Sequence, residues 1–157
     1  MTEDLTRLVA EVEQQERELR FATFSNDDAW ELGALLVELA MERELAVTVD
    51  IRRGRQQLFH AARPGTSPDN DSWIDRKVRA VDRFGMSSYL LGLRYRAAGT
   101  TFAEKTQLSV QRYAAAGGSL PVHVEGVGIV GTVTVSGLSQ AEDHALVVEA
   151  IRRFLDG

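Results

Sequence analysis

The chain has 157 residues, the length of one ordinary domain that can bury a substantial core without covalent staples, and residues 1–157 are expected to form that single domain. It contains no cysteine, which removes disulfides, thiolate metal ligands, iron–sulfur clusters and cysteine nucleophiles together and fits a reducing, cytoplasmic compartment. A formal net charge of -5 argues against a general polyanion binder, so nucleic acid is not an expected partner.

The first residues, MTEDLTRLVAEVEQQERELR, carry acids where a secretory signal would carry a basic region. No apolar run along the chain approaches the roughly 20 residues needed to span a bilayer, so no membrane association is expected. Leu5, Leu8, Val9, Val12 and Leu19 follow helical spacing, which predicts an amphipathic helix laid on the body of the domain. Phe21 to Phe24 then leads to Ser25, a capping residue with Asp28 in capping-box position, and predicts a helix from Asn26 to about Glu44. That helix is apolar on two sides: Trp30, Gly33, Ala34, Val37 and Met41 form one stripe, and Leu32, Leu35, Leu36 and Leu39 another. A helix apolar all round needs cover all round, so it is expected between the sheet and the first helix, with one stripe serving as a subunit interface as the alternative.

From Leu45 the period changes. Leu45, Val47, Val49 and Ile51 alternate with Ala46, Thr48 and Asp50 as in a half-buried strand. Arg52-Arg53-Gly54-Arg55 turns the chain into a second strand around Gln57 to Ala62, and the three arginines read as a solvated hairpin tip. A loop carrying Pro64, Gly65, Pro68 and Asp69 to Asp71 precedes a helix predicted from about Ser72 to Phe84. Trp73, Lys77, Ala80 and Phe84 share one side of it, while Arg76, Arg79 and Arg83 share another and read as a solvated ion-pair face, with Asp75 placed to pair with Arg79. Ser87 to Leu93 reads as a short helix, and residues 97–118 are the least regular stretch, suited to a loop that covers or rims a site.

Pro121 opens a predicted strand in which Val122 and Val124 alternate with His123 and Glu125. Gly126 and Gly128 turn the chain into a β-branched strand from Ile129 to Val135, completing an antiparallel hairpin. Gly131 within that strand marks a bulge, or a place where another backbone or a ligand comes close. Ser139 and Glu142 form a capping box for a last helix, whose buried stripe comprises Val147, Val148, Ile151, Phe154 and Leu155 with His144 one turn earlier.

Here the residues resemble the GlcG/HbpS-like haem-degrading domain family, in particular its branch of small proteins ending in V-G-x-V-x-V-S-G-L-x-x-x-x-D-H. The matching residues are Val130-Gly131-Thr132-Val133-Thr134-Val135-Ser136-Gly137-Leu138 with Asp143-His144. Further matches are Phe24-Ser25-Asn26 with Ala29 to Gly33, Trp73-Ile74 with Arg76-Lys77, Arg83-Phe84 with Ser87-Ser88-Tyr89, and Gly117-Gly118-Ser119 with Pro121. Leu120 departs from the branch, which usually has Phe there. The resemblance spans nearly the whole chain and implies an α+β, profilin-like fold, with an antiparallel sheet of about five strands, helices packed on it and assembly into symmetric homo-oligomers. It implies haem or iron binding only loosely, because that association belongs to other branches.

The chain has three histidines, and none stands in a metal-motif spacing, so no metal site is expected. His60 reads as a strand-edge residue and His123 as lying on the polar face of its strand. His144 is either a hydrogen-bonded core residue or a ligand beside a pocket formed with Asp143, Gly131 and Ser136. Neighbours in a helix point about 100° apart, so Asp143 is not expected to orient His144 as in a catalytic triad. No catalytic residues are assigned. The sequence supports an oligomeric small-ligand binding protein, with haem as the first ligand suggested by the resemblance, or alternatively a non-enzymatic assembly or adaptor protein without cofactor.

Overall fold

The computed structural model describes residues 2–157, in the order α1 (Thr2–Glu18), β1 (Arg20–Phe21), α2 (Asn26–Glu42), β2 (Thr48–Arg53), β3 (Gln56–Ala62), α3 (Pro68–Phe84), α4 (Ser88–Ala97), α5 (Phe102–Thr106), β4 (Ser119–Val124), β5 (Gly128–Ser136) and α6 (Gln140–Asp156). The strands form one sheet in the order β1-β4-β5-β2-β3, antiparallel except where the two-residue β1 lies parallel to β4. It is an α+β fold with helices on both faces of the sheet.

The two faces differ in chemistry. Register places Val49 beside Val135, and Ile51 and Leu120 beside Val133; this apolar face packs with Leu32, Leu36 and Leu39 of α2 and Val147 and Ile151 of α6. On the opposite face Thr48 is beside Ser136, and Asp50 and Ser119 are beside Thr134, all of them buried, with α3 lying across β4 and β5. The strand at 48–53 is therefore covered on both sides rather than half-buried as its alternation suggests. The buried Asp50 carboxylate is satisfied by Arg52 Nε at 2.8 Å and Gln57 Nε2 at 2.6 Å, as a buried charge must be.

Ser25 caps α2 with the reciprocal Asp28 bond of a capping box. The cover expected for this helix is absent on one side. Leu5, Leu8, Val9 and Val12 of α1 pack with Tyr89, Leu90 and Leu93 of α4, so α1 does not lie on α2 and the sandwich expectation fails. Trp30 and Met41 are left 63% and 58% exposed. Gly33, assigned by spacing to the same outer stripe, is instead buried against Phe59, whose ring leaves no room for a Cβ.

Helix α3 starts four residues earlier than predicted, because Ser67 caps it and Pro68 takes a first-turn position where a missing N–H costs nothing. Its arginines are not a solvated ion-pair face. Arg76 Nη2 donates to the Val110 carbonyl at 2.6 Å, Arg79 Nη1 to the Arg112 carbonyl at 3.0 Å and Arg83 Nη1 to the Tyr113 hydroxyl at 3.2 Å. Asp75 pairs with Arg52 at 2.7 Å and Arg53 Nη1 donates to Asn26 Oδ1 at 3.2 Å, so two hairpin-tip arginines are tied down as well. Pro121 lies third in β4 rather than first; the short β1 reaches only His123 and Val124, so the edge beside Pro121 is free. Among the described residues no helix is long and apolar enough to cross a membrane.

Candidate functional site

The junction between β5 and α6 is built around Asp143. Ser139 Oγ accepts from the Glu142 amide at 3.2 Å and donates to Glu142 Oε1 at 2.8 Å, which fixes the first turn of α6. Asp143, in that same turn, folds back on the loop before it: Oδ1 accepts from the Leu138 amide at 2.9 Å and Oδ2 from the Gly137 amide at 3.3 Å. Lys77, reaching across from α3, donates from Nζ to Asp143 Oδ2 at 3.2 Å and to the Val135 carbonyl at 3.2 Å. Lys77 and Asp143 are only 4% and 2% exposed. Burial pushes the Lys77 ammonium down and the Asp143 carboxyl up from their ordinary values, and each is opposed by the other's charge.

Gly118 makes the Lys77 position accessible to the chain that passes over it. Its φ of +138° falls in the region that favours glycine, and a Cβ there would lie 2.4 Å from the Val135 oxygen and 2.7 Å from Lys77 Nζ. The neighbouring Gly117 amide donates to Gln140 Oε1 at 3.2 Å, tying this loop to the start of α6. Asn70, in the first turn of α3, donates to Ser136 Oγ at 3.3 Å. These elements enclose a cleft of about 280 Å³ lined by Asp69, Asn70, Trp73, Ser136 and Gln140, with Lys77 and Asp143 among its lining.

Of the four residues picked out by sequence, Asp143 and Ser136 share this cleft, whereas His144 and Gly131 do not. His144 is turned to the other side of α6, 3% exposed, with Nε2 2.7 Å from Gln15 Oε1 and its ring 4.8 Å from that of Tyr89. Its Nδ1 is buried without a hydrogen-bond partner among the described residues, and burial lowers its pKa to about 4, so the imidazole is neutral near pH 7. Asp143 does not orient it. Gly131 sits inside the sheet, where a Cβ would lie 2.0 Å from the Arg52 oxygen, so the close neighbour is the backbone of β2. A bulge adjoins it, in the register shift between Val122 and His123.

Sequence reasoning left out Lys77, Asn70, Trp73 and Gln140. The available signal was Lys77 itself, a lone charge on the otherwise apolar side of α3. His60 is exposed on β3, its Nε2 2.6 Å from Asp71 Oδ1. It borders a separate, apolar groove of about 650 Å³ with Trp30, Val37, Met41 and Phe59.

Comparison with known proteins gives the fold a context. A family model described as haem degrading protein HbpS-like matches residues 24–152. A UPF0303 protein of Streptomyces coelicolor is 65% identical over 147 residues, covering 94% of this chain and 93% of that protein. A UPF0303 protein of Edwardsiella ictaluri is 47% identical over 98% of this chain and 95% of its own length. Among solved structures, the Ybr137w protein aligns with a TM-score of 0.87 at 31% identity, over 94% of this chain and 87% of that one. A PduOC:heme complex shares the fold, with a TM-score of 0.69 at 18% identity over 83% of this chain and 94% of that one. The chain belongs to the family described as haem degrading protein HbpS-like.

Proposed function

We propose that the protein is a homo-oligomeric small-ligand binding protein, and that its ligand occupies the cleft between the first turns of α3 and α6. The observation that carries this reading is the Lys77–Asp143 pair, two opposite charges almost fully buried among the lining of an open cleft. Taking both charges out of water offsets most of their attraction, so such a pair contributes little net stability compared with apolar packing. Set within a cleft among other polar side chains, it supplies fixed charge and hydrogen bonding to a ligand.

Haem, the ligand suggested by family membership, needs an axial donor beside an apolar slot. The residues of the cleft do not fit it: the lining includes a buried ion pair and no histidine, and His144 is enclosed with its Nε2 engaged by Gln15. The reading is tested by native mass spectrometry after incubation with a desalted metabolite extract. The wild type is expected to retain a small-molecule adduct that Ser136→Ala loses. An adduct unchanged in that variant, or none in either protein, would remove the basis for the cleft. In a parallel haemin titration, His144→Phe is expected to leave any Soret change unaltered.

A second reading, assembly without a ligand, is favoured by the exposed Trp30 and Met41 beside the apolar groove. The groove adjoins β3, whose outer edge is unpaired in the sheet. A contiguous apolar patch next to a free strand edge suits a self-complementary contact between two copies. Light scattering that found a monomer at micromolar concentration would overturn both this reading and the oligomeric part of the first.

A further inference from the structure

The hydrogen-bonding capacity of the cleft is unbalanced, and the imbalance selects a class of ligand. The Lys77 ammonium has three N–H donors, of which Val135 O and Asp143 Oδ2 take two, so one remains. Ser136 Oγ accepts from Asn70, while its own O–H has no acceptor among the described residues. Gln140, at the exposed rim, uses Oε1 to accept from Gly117, which leaves both N–H groups of its amide nitrogen to solvent or a ligand.

Acceptors are scarce by comparison. The Asp143 carboxylate already accepts three hydrogen bonds, from Leu138 N, Gly137 N and Lys77, so one of its roughly four acceptor sites remains. Among the described residues the lining carboxylate with no hydrogen-bond partner is that of Asp69, which is exposed and therefore screened by solvent. The first turns of α3 and α6 both contribute lining residues, but their dipoles are already offset by Asp69 and Asp71 in α3 and by Glu142 and Asp143 in α6, so the free donors rather than the helix ends carry the selection. Trp73 supplies an aromatic wall, with the Arg76 guanidinium carbon 4.1 Å from its ring centroid.

Resting on the ligand-cleft reading above, we propose that the cleft takes a small carboxylate, whose oxygens accept from Lys77 Nζ, Ser136 Oγ and Gln140 Nε2. A phosphate dianion suits it less well. The only cation among the lining side chains is already shared with Asp143, and no arginine fork lines the cleft to supply paired donors.

The test is an amide-resolved NMR titration of the full chain at neutral pH with propionate and benzoate, using propionamide, propylamine and inorganic phosphate as comparison probes. A carboxylate is expected to shift the Gly117 and Leu138 amides and the Trp73 indole N–H saturably at millimolar concentration. Loss of one donor in Ser136→Ala should weaken binding by about tenfold. Asp69→Asn should tighten it, because a repelling charge at the rim is removed. Lys77→Met should abolish it, but that variant leaves Asp143 buried and unpaired, so Ser136→Ala and Asp69→Asn are decisive if it fails to fold. Saturation by propionamide, propylamine or phosphate at these same resonances, with no response to either carboxylate, overturns the carboxylate and leaves the cleft standing. Saturation by none of the five overturns both.

Discussion

His144 and Asp143 are adjacent in sequence and opposite in environment. The angular separation of helical neighbours argues against Asp143 orienting His144, and in the structure Asp143 bonds to Gly137, Leu138 and Lys77 while His144 meets Gln15. Which of them faces a cleft could not be read locally, because it depends on Gln15 of α1 and Lys77 of α3, both distant in sequence. The neutral, buried His144 has a consequence for acid stability. Its pKa falls from 6.5 in a free chain to about 4 in the fold, so below pH 6.5 the unfolded state takes up the proton first. Stability is therefore lost as the pH drops from 6.5 towards 4, and this one group accounts for a loss approaching about 3 kcal/mol. Glu16, Asp50 and Asp143 act in the opposite sense, since burial raises their carboxyl pKa values. The clean measurement is thus a difference. Urea unfolding at pH 7 and pH 4.5 should show the wild type losing more stability than His144→Phe over the same interval, and equal losses would refute a buried neutral histidine.

At the scale of elements, periodicity and capping gave five of the six helices and the two hairpins, but not the short α5 or β1, and the glycine at 131 was recognisable as a bulge or a point of close approach. The misreadings have two causes, a partner distant in sequence and a start signal masked by its neighbours. The stripe of Arg76, Arg79 and Arg83 looks solvated because its partner, the stretch from Val110 to Tyr113, has no pattern that announces a partner. The Ser67-Pro68 start of α3 was legible, but the surrounding glycine and prolines made the whole stretch read as loop. The arginines hold that irregular stretch on α3 by bonds to two carbonyls and a phenol. Charge-assisted bonds at partly exposed sites contribute about 1 kcal/mol each. Replacing Arg76 and Arg79 together with alanine should lower global stability by at most about 2 kcal/mol while raising hydrogen exchange at the Tyr113 and Ala114 amides by about fivefold or more. Unchanged exchange would show that Phe102 and its aromatic neighbours Phe84, Tyr95 and Tyr113 suffice to hold the segment.

For the whole molecule, the decisive event is where α1 docks. By packing on α4 it seals the end of the domain that contains His144, and it leaves the outer stripe of α2 beside the free edge of β3. The sequence disclosed that α2 has two apolar stripes, but not which neighbour would cover the second. Among the described residues no element of the same chain buries Trp30 or Met41, and a second copy of the chain can do so around a two-fold axis. Because both side chains are already exposed, Trp30→Asp with Met41→Asp should leave the circular dichroism spectrum and cooperative unfolding intact. A large aromatic at the centre of an interface commonly contributes 2 kcal/mol or more, so self-association should weaken by about 30-fold or more. Light scattering over a dilution series reads that shift directly. A variant that assembles like the wild type would place the subunit contact on another face, and one that loses its fold would mean that Trp30, through its edge contact with Phe59 at 5.2 Å, belongs to the core after all.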